Sequence, residues 1–310
     1  MLLKSKDILG LYDMPAEDIK LILDSAATMK QLLMQNAKKM PHLQGKSIVA
    51  LFYENSTRTR LSFELAAKYL GAAFSNLGVS SSSVSKGETL LDTGKTIEAM
   101  GTDVVVIRHQ MSGAPKFLAD NFSGSVINAG DGTHEHPTQA LLDILTMRER
   151  FGGIDGLNVS IIGDIAHSRV ARSNLWGLKK LGANVTLCGM KTMMPEGIGQ
   201  AGANITSSIE EAADGADVVM ALRIQKERLE GALLPSAREY HNYFGLNERI
   251  MKLCKKDVLI MHPGPMNRGV ELSSAVADAE NSAITTQVTN GVAVRMALLY
   301  LLTRRKDDDN

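Results

Sequence analysis

Residues 47–71 read SIVALFYENSTRTRLSFELAAKYLG, and the fold follows from how this stretch is parsed. Residues 47–53 form a short apolar run rich in β-branched side chains, as expected of a buried strand. Residues 60–70 place apolar side chains at helical spacing and close on Gly71, a helix stop. A strand therefore feeds a helix, and the same unit recurs outward in both directions. Upstream, Ile19, Ile22, Leu23, Ala26, Met29 and Leu33 mark an amphipathic helix with Pro15 in its first turn. Downstream, residues 103–108 (DVVVIR) and 125–129 (SVINA) read as strands, while 88–100 and 137–150 read as helices. Strands alternating with helices imply a parallel sheet covered on both faces.

The chain pauses at Phe151-Gly152-Gly153, after which a second alternating series begins. Its expected strands are 157–162, 184–187, 217–222 and 258–262, with a helix near 169–181. The expected fold class is α/β: two doubly wound domains, each a mostly parallel sheet flanked by helices, joined by helices. The expected domains are residues 1–150 and 151–286, with a C-terminal helix over 287–303 packing back onto the first. The closing RRKDDDN (304–310) reads as a frayed tail, and Ser80-Ser81-Ser82-Ser83 as a mobile loop.

Composition narrows the function classes. The 310 residues are 44% hydrophobic and 22% charged, a globular profile, and 34 Lys plus Arg balance 34 Asp plus Glu. No net field steers such a chain onto nucleic acid or an acidic membrane, so any cationic site has to be local. Cys188 and Cys254 form neither a Cys-x-x-Cys pair nor a disulfide framework and read as buried fillers in a reducing compartment. Lys4, Lys6 and Asp7 interrupt the first apolar stretch, and no run approaches the ~20 apolar residues of a membrane span, so a cytoplasmic location is expected.

The segment richest in chemistry is Ser56-Thr57-Arg58-Thr59-Arg60, between a strand and the first turn of a helix. Unpaired first-turn amides and the positive end of the helix dipole, joined by hydroxyls and a guanidinium, build an anion cradle. The same letters also suit an ordinary N-cap with both arginines in solvent. Arg108 ends one strand, and His136-Pro137-Thr138-Gln139 opens a helix just after another, so all three sets of residues converge on one sheet edge. Gly94-Lys95-Thr96 lacks the leading glycine and the preceding strand of a nucleotide P-loop. Ile161-Ile162-Gly163-Asp164 is followed by no Gly-x-Gly-x-x-Gly, which disfavours a dinucleotide. The run DGTHEH (131–136) could suggest metal ligation but has no Cys partner or His-x-x-x-His pair; no metal and no cofactor are expected.

Taken in order, Ser56 to Arg60, Lys86-Gly87-Glu88-Thr89, Arg108-His109, His136 to Gln139, Arg169, Arg223-x-Gln225-x-Glu227-Arg228 and His262-Pro263-Gly264-Pro265 resemble the aspartate carbamoyltransferase family across almost the whole chain. The resemblance implies transfer of a carbamoyl group from carbamoyl phosphate to L-aspartate, at the entry to pyrimidine synthesis, by homotrimers with shared sites. It implies that Ser56, Thr57, Arg58 and Thr59 hold the phosphate, while Arg108, His136 and Gln139 hold the carbamoyl group. Ser82 and Lys86 would reach a neighbouring subunit's site. Arg169, Arg223, Gln225, Gly264 and Pro265 would bind aspartate. Many relatives carry arginine directly after the second proline, whereas this chain has Met266-Asn267 before Arg268. A transcarbamoylase for another amino acid such as ornithine, or a non-catalytic homologue that binds carbamoyl phosphate, stays open at this level. So do regulatory chains or another pyrimidine-pathway enzyme as partners. Against ornithine, Arg223 would face a second cation, a costly juxtaposition.

Overall fold

The computed structural model describes residues 2–36, 39–78, 87–224 and 236–308. Ser82, Lys86, Gln225, the serine run and Lys226-Glu227-Arg228 lie outside them. By its internal contacts the chain forms two units, residues 1–142 with 289–310, and 143–288.

The first unit carries α1 (Ala16–Met34), β1 (Ser47–Phe52), α2 (Thr57–Tyr69), β2 (Ala73–Gly78), α3 (Leu90–Ala99), β3 (Val104–His109), α4 (Ala114–Ala119), β4 (Ser125–Asp131) and the start of α5 (Pro137–Phe151). Its four strands are all parallel, in the order β2-β1-β3-β4. Val49, Leu51, Val105, Ile107 and Val126 pack with Ile97 of α3 and Leu118 of α4 into one core. Fully burying side chains of this size stabilises by roughly 1.5–3 kcal/mol each. Gly94 lies inside α3, where a Cβ would stand 2.7 Å from Leu118 Cδ1; its role is close helix packing, not phosphate binding. The β4 edge is covered by the N-terminal segment: Ile8 N–H donates to Val126 O (2.9 Å), and Asn128 N–H donates to Ile8 O (2.8 Å).

The second unit carries β5 (Asn158–Ile162), α6 (Arg169–Lys180), β6 (Asn184–Cys188), β7 (Asn204–Thr206), α7 (Ile209–Ala213), β8 (Val218–Ala221), α8 (Ala237–Phe244), α9 (Glu248–Met251), β9 (Leu259–Met261), α10 (Ser274–Ala277) and the first turn of α11 (Ile284–Asp308). Its strands are again parallel, in the order β7-β6-β5-β8-β9. The core on one face is built from Ile162, Val219, Ile260, Tyr240, Phe244 and Ile250. Among the described residues no helix is long and apolar enough to cross a membrane.

Three expectations need correction. The helix after the STRTR run begins at Thr57 rather than Arg60, so the motif is the helix's own first turn. The tail expected to fray instead extends α11 through Asp308. Cys188 is buried, but Cys254 is only partly so; burial pushes their thiols up to about 12 and about 11, consistent with inert fillers.

Candidate active site

In each sheet the strand order reverses once, between β1 and β3 in the first and between β5 and β8 in the second. Open α/β sheets bind ligands beyond the C-terminal ends of strands at such a point. Both points carry residues singled out from the sequence.

At the first, register pairs Phe52 with Arg108, and Tyr53 N–H donates to Arg108 O (2.9 Å). Three residues past Tyr53, Ser56 is the N-cap of α2 in extended conformation (φ −156°, ψ 97°), yet its side chain makes no capping bond. Thr57 and Arg58 are exposed, and Thr59 is buried. The hydroxyl that would normally satisfy the helix is thus left available beside first-turn amides that have no intrahelical partner. Arg108 is mostly buried; Nη2 donates to Glu54 Oε1 at 2.5 Å and Nη1 to Ala129 O at 3.4 Å, so one arm of its fork is held by a carboxylate. No motif or spacing singled out Glu54. The neighbouring His109 ring lies 4.6 Å from the Tyr53 ring, and its Nδ1 accepts from Met111 N–H (2.9 Å). Burial lowers the His109 pKa, with Asp131 acting the other way.

His136 and Gln139 are buried at the start of α5, where Gln139 N–H donates to His136 O (3.0 Å). The turn delivering them is tied down by its acids. Asp131 accepts from Gly113 N–H (2.7 Å), Asn128 Nδ2 (2.7 Å) and His134 Nδ1 (3.1 Å). Burial by itself would raise the Asp131 pKa, but bonds from His134, Gly113 and Asn128 hold it below the ordinary carboxylate range. Glu135 accepts from Leu11 N–H (2.7 Å) and Tyr12 N–H (3.0 Å). Among the described residues no group of three or more His, Cys, Asp or Glu is arranged to hold a metal ion. Behind both motifs stands Arg295 of α11, buried, its guanidinium 5.1 Å above the Phe63 ring of α2 and Nη2 donating to Thr138 Oγ1 (3.3 Å). Nothing in the sequence pattern singled it out.

At the second switch point, Leu222 N–H donates to Ile162 O (2.8 Å), which sets Arg223 beside Gly163. Register of Met220 with Met261 brings His262 to the next strand end. Ser168 caps α6, accepting from Ala171 N–H (3.1 Å), and Arg169, its first residue, is buried. Asp164 holds His167 Nδ1 at 2.9 Å. Burial lowers the pKa of Arg172, with Asp164 opposing. Gly264 has φ +62°, in the left-handed region that favours glycine, and precedes Pro265 in cis. Its N–H donates to His262 Nδ1 (2.8 Å). Arg268, next in the loop, forms a two-armed pair with Asp278 (2.7 Å on each arm) on the surface. It is Asn267 that turns toward the loop's interior, bonding to Glu271.

Two doubly wound parallel sheets, each with polar residues gathered at its switch point and the first with an anion cradle at a helix N-terminus, define a two-domain α/β protein suited to anionic ligands. Sequence comparison refines this. Residues 6–149 match the carbamoyl-P binding domain of aspartate/ornithine carbamoyltransferases, and residues 155–302 match the Asp/Orn binding domain. The chain belongs to the aspartate/ornithine carbamoyltransferase family. It is 63% identical to the aspartate carbamoyltransferase catalytic subunit of Acetivibrio thermocellus over 100% of this chain and 99% of that one. Identity to the same subunit of Ruminiclostridium cellulolyticum is 62%, covering 98% and 97% of the two chains. Among solved structures, aspartate transcarbamoylase from Trypanosoma cruzi, in complex with N-(phosphonacetyl)-L-aspartic acid, is similar with a TM-score of 0.88 and 33% identity over 96% of each chain. Ornithine carbamoyltransferase from Pyrococcus furiosus gives 0.87 and 29% over 97% of this chain and 98% of that one.

Proposed function

We propose that this chain transfers the carbamoyl group of carbamoyl phosphate to the amino group of L-aspartate, giving N-carbamoyl-L-aspartate and phosphate. The observation that carries the reading is the Ser56–Thr59 turn at the first switch point, its cap hydroxyl unspent and Arg58 exposed, one strand over from Arg108. Fold alone does not choose the amino acid, because aspartate and ornithine enzymes superpose on this chain almost equally well. The choice of aspartate is supported by the 63% identity to an aspartate enzyme and by Arg223, whose charge suits a carboxylate and opposes an ammonium.

In this reading Ser56, Thr57, Arg58 and Thr59 bind the phosphate, and Arg108, His136 and Gln139 bind the carbamoyl group. Arg169, Arg223, Gln225, Gly264 and Pro265 receive aspartate. The amine lone pair attacks the carbonyl carbon, whose oxygen gains negative charge that fixed donors stabilise more than they stabilise the ground state. The bond to the phosphate oxygen then breaks, the phosphate leaves with the electron pair, and the amine proton passes to it. Catalysis so constituted needs proximity and charge placement rather than a borrowed coenzyme. Phosphate release from carbamoyl phosphate is the direct test: release with aspartate and none with ornithine is expected, and the reverse preference, or release with neither, overturns the reading.

The same resemblance leads us to read the chain as a cytoplasmic homotrimer in pyrimidine synthesis, with Ser82 and Lys86 completing a neighbour's site. Mixing inactive Arg58→Ala and Lys86→Gln chains under confirmed subunit exchange should regenerate part of the wild-type activity. No recovery would reject shared sites.

A further inference from the structure

The second unit holds a set of buried polar side chains that the proposed chemistry does not use. Asn174 Nδ2 donates to Val170 O (3.1 Å), next to Arg169, and to Asp143 Oδ2 (2.9 Å). Gln287 Nε2 donates to the other oxygen of Asp143 (2.8 Å), and Gln287 Oε1 accepts from the backbone N–H of His262 (3.0 Å). The His262 ring has Nδ1 occupied by Gly264 N–H, so the proton sits on Nε2, which donates to Glu271 Oε1 (3.0 Å). Glu271 also accepts from Asn267 N–H (2.6 Å) and Asn267 Nδ2 (3.3 Å). Asn267 Nδ2 in turn reaches Ile224 O (3.4 Å), next to Arg223.

These bonds are continuous. They begin at the turn bearing Arg169, pass the loop bearing Gly264 and Pro265, and end at the segment bearing Arg223. Asp143 and Glu271 are at most 1% exposed, and Asn174, Gln287 and His262 at most 3%. Burying two carboxylates is costly, and apolar side chains of similar size would commonly stabilise such a core as well or better. What a hydrogen-bonded polar network of this kind adds is a defined geometry, here with Asn174 Oδ1 alone of its buried side-chain atoms left without a partner among the described residues.

We infer that Asn174, Asp143, Gln287, His262, Glu271 and Asn267 are positioning residues that hold the three segments of the amino-acid half-site in one fixed arrangement. The inference rests on the aspartate reading of that half-site. Breaking the chain at one end releases both ends, so a second break adds little.

The test is a double-mutant cycle on the full-length protein with Asn267→Ala and Asn174→Ala, reading KM for aspartate, kcat, carbamoyl phosphate affinity by calorimetry, and thermal melting. Each single variant should raise KM for aspartate by about tenfold, the worth of a charge-assisted hydrogen bond, with kcat within about twofold and carbamoyl phosphate affinity unchanged. The double variant should rise no further than about twofold beyond the larger single effect. Unchanged KM in folded Asn267→Ala overturns the inference, as do multiplying effects or losses spread equally over both substrates. Asn267 is partly exposed; should Asn174→Ala not fold, Glu271→Gln, which keeps one acceptor oxygen and loses the bond to Asn267 Nδ2, must give the same rise in KM or the inference fails. The underlying reading fails differently. A wild type that turns over another amino acid moves the same measurement to that substrate, whereas a wild type inert toward every amino acid defeats both.

Discussion

The two switch points solve the same problem by different means. In the first unit the residues proposed to hold phosphate, Ser56 to Thr59, are neighbours in sequence, with Thr57 and Arg58 exposed, and are presented by one helix turn whose cap side chain makes no capping bond. In the second, the cap Ser168 is engaged with its helix, Arg169 is buried, and the proline-containing loop is held from behind by the buried carboxylate of Glu271 and the buried amide of Gln287. A doubly charged phosphate can be held by backbone amides and a helix dipole, which come ready-made with the fold. Aspartate, in the proposed reading, must be fixed at two carboxylates and one nitrogen, so its anchors have to come from separate segments held in register.

The sharpest way to break this contrast is at Arg58. Arg58→Ala should lower kcat by about 100- to 1,000-fold while circular dichroism and melting stay as in wild type, because the side chain is exposed and, in the proposed mechanism, acts on developing charge. A loss below tenfold would place the electrostatics elsewhere. Arg223→Ala should lower kcat/KM for aspartate by about 10- to 100-fold and leave carbamoyl phosphate binding unchanged in calorimetry. Equal losses for both substrates would erase the division between half-sites. The two cap serines sharpen it further: Ser168→Ala should cost about 1 kcal/mol in urea unfolding, whereas Ser56→Ala should cost a few tenths at most and be felt in carbamoyl phosphate affinity.

The smallest effect concerns His109. Burial lowers its pKa, and the Nδ1 acceptor for Met111 N–H is lost when the ring is protonated. The folded chain therefore binds this proton less readily than the unfolded chain, so the stability it contributes is present above the ordinary histidine range and lost as pH falls through it. Urea midpoints followed from about pH 7 to 5 should fall less steeply in His109→Gln than in wild type. Identical slopes would mean the ring titrates alike in both states.

Legibility in the sequence followed burial. Strands β1, β3, β4, β5, β6, β8 and β9 are short apolar runs, and each lies within two residues of where its run was read, because a strand covered on both faces leaves no other pattern. Strand β2 escaped because it is exposed: none of Ala73–Gly78 is fully buried, and the stretch carries no apolar run. Strand β7, three residues long, escaped for the same reason. The Ser56–Thr59 turn was legible as a candidate because it is contiguous. Asp143, Asn174, Glu271 and Gln287 were not, since they stand far apart in sequence with no shared period and meet only in the folded unit.

The N-terminal segment over β4 has a consequence for damage to the protein. Residues 8–12 are clasped by Val126, Asn128 and Glu135, and Gly10 sits where a Cβ would stand 2.3 Å from a Glu135 oxygen. A protease cut there would loosen the acid that steadies the turn ahead of His136, so a nick more than a hundred residues away in the chain would be felt at the start of α5.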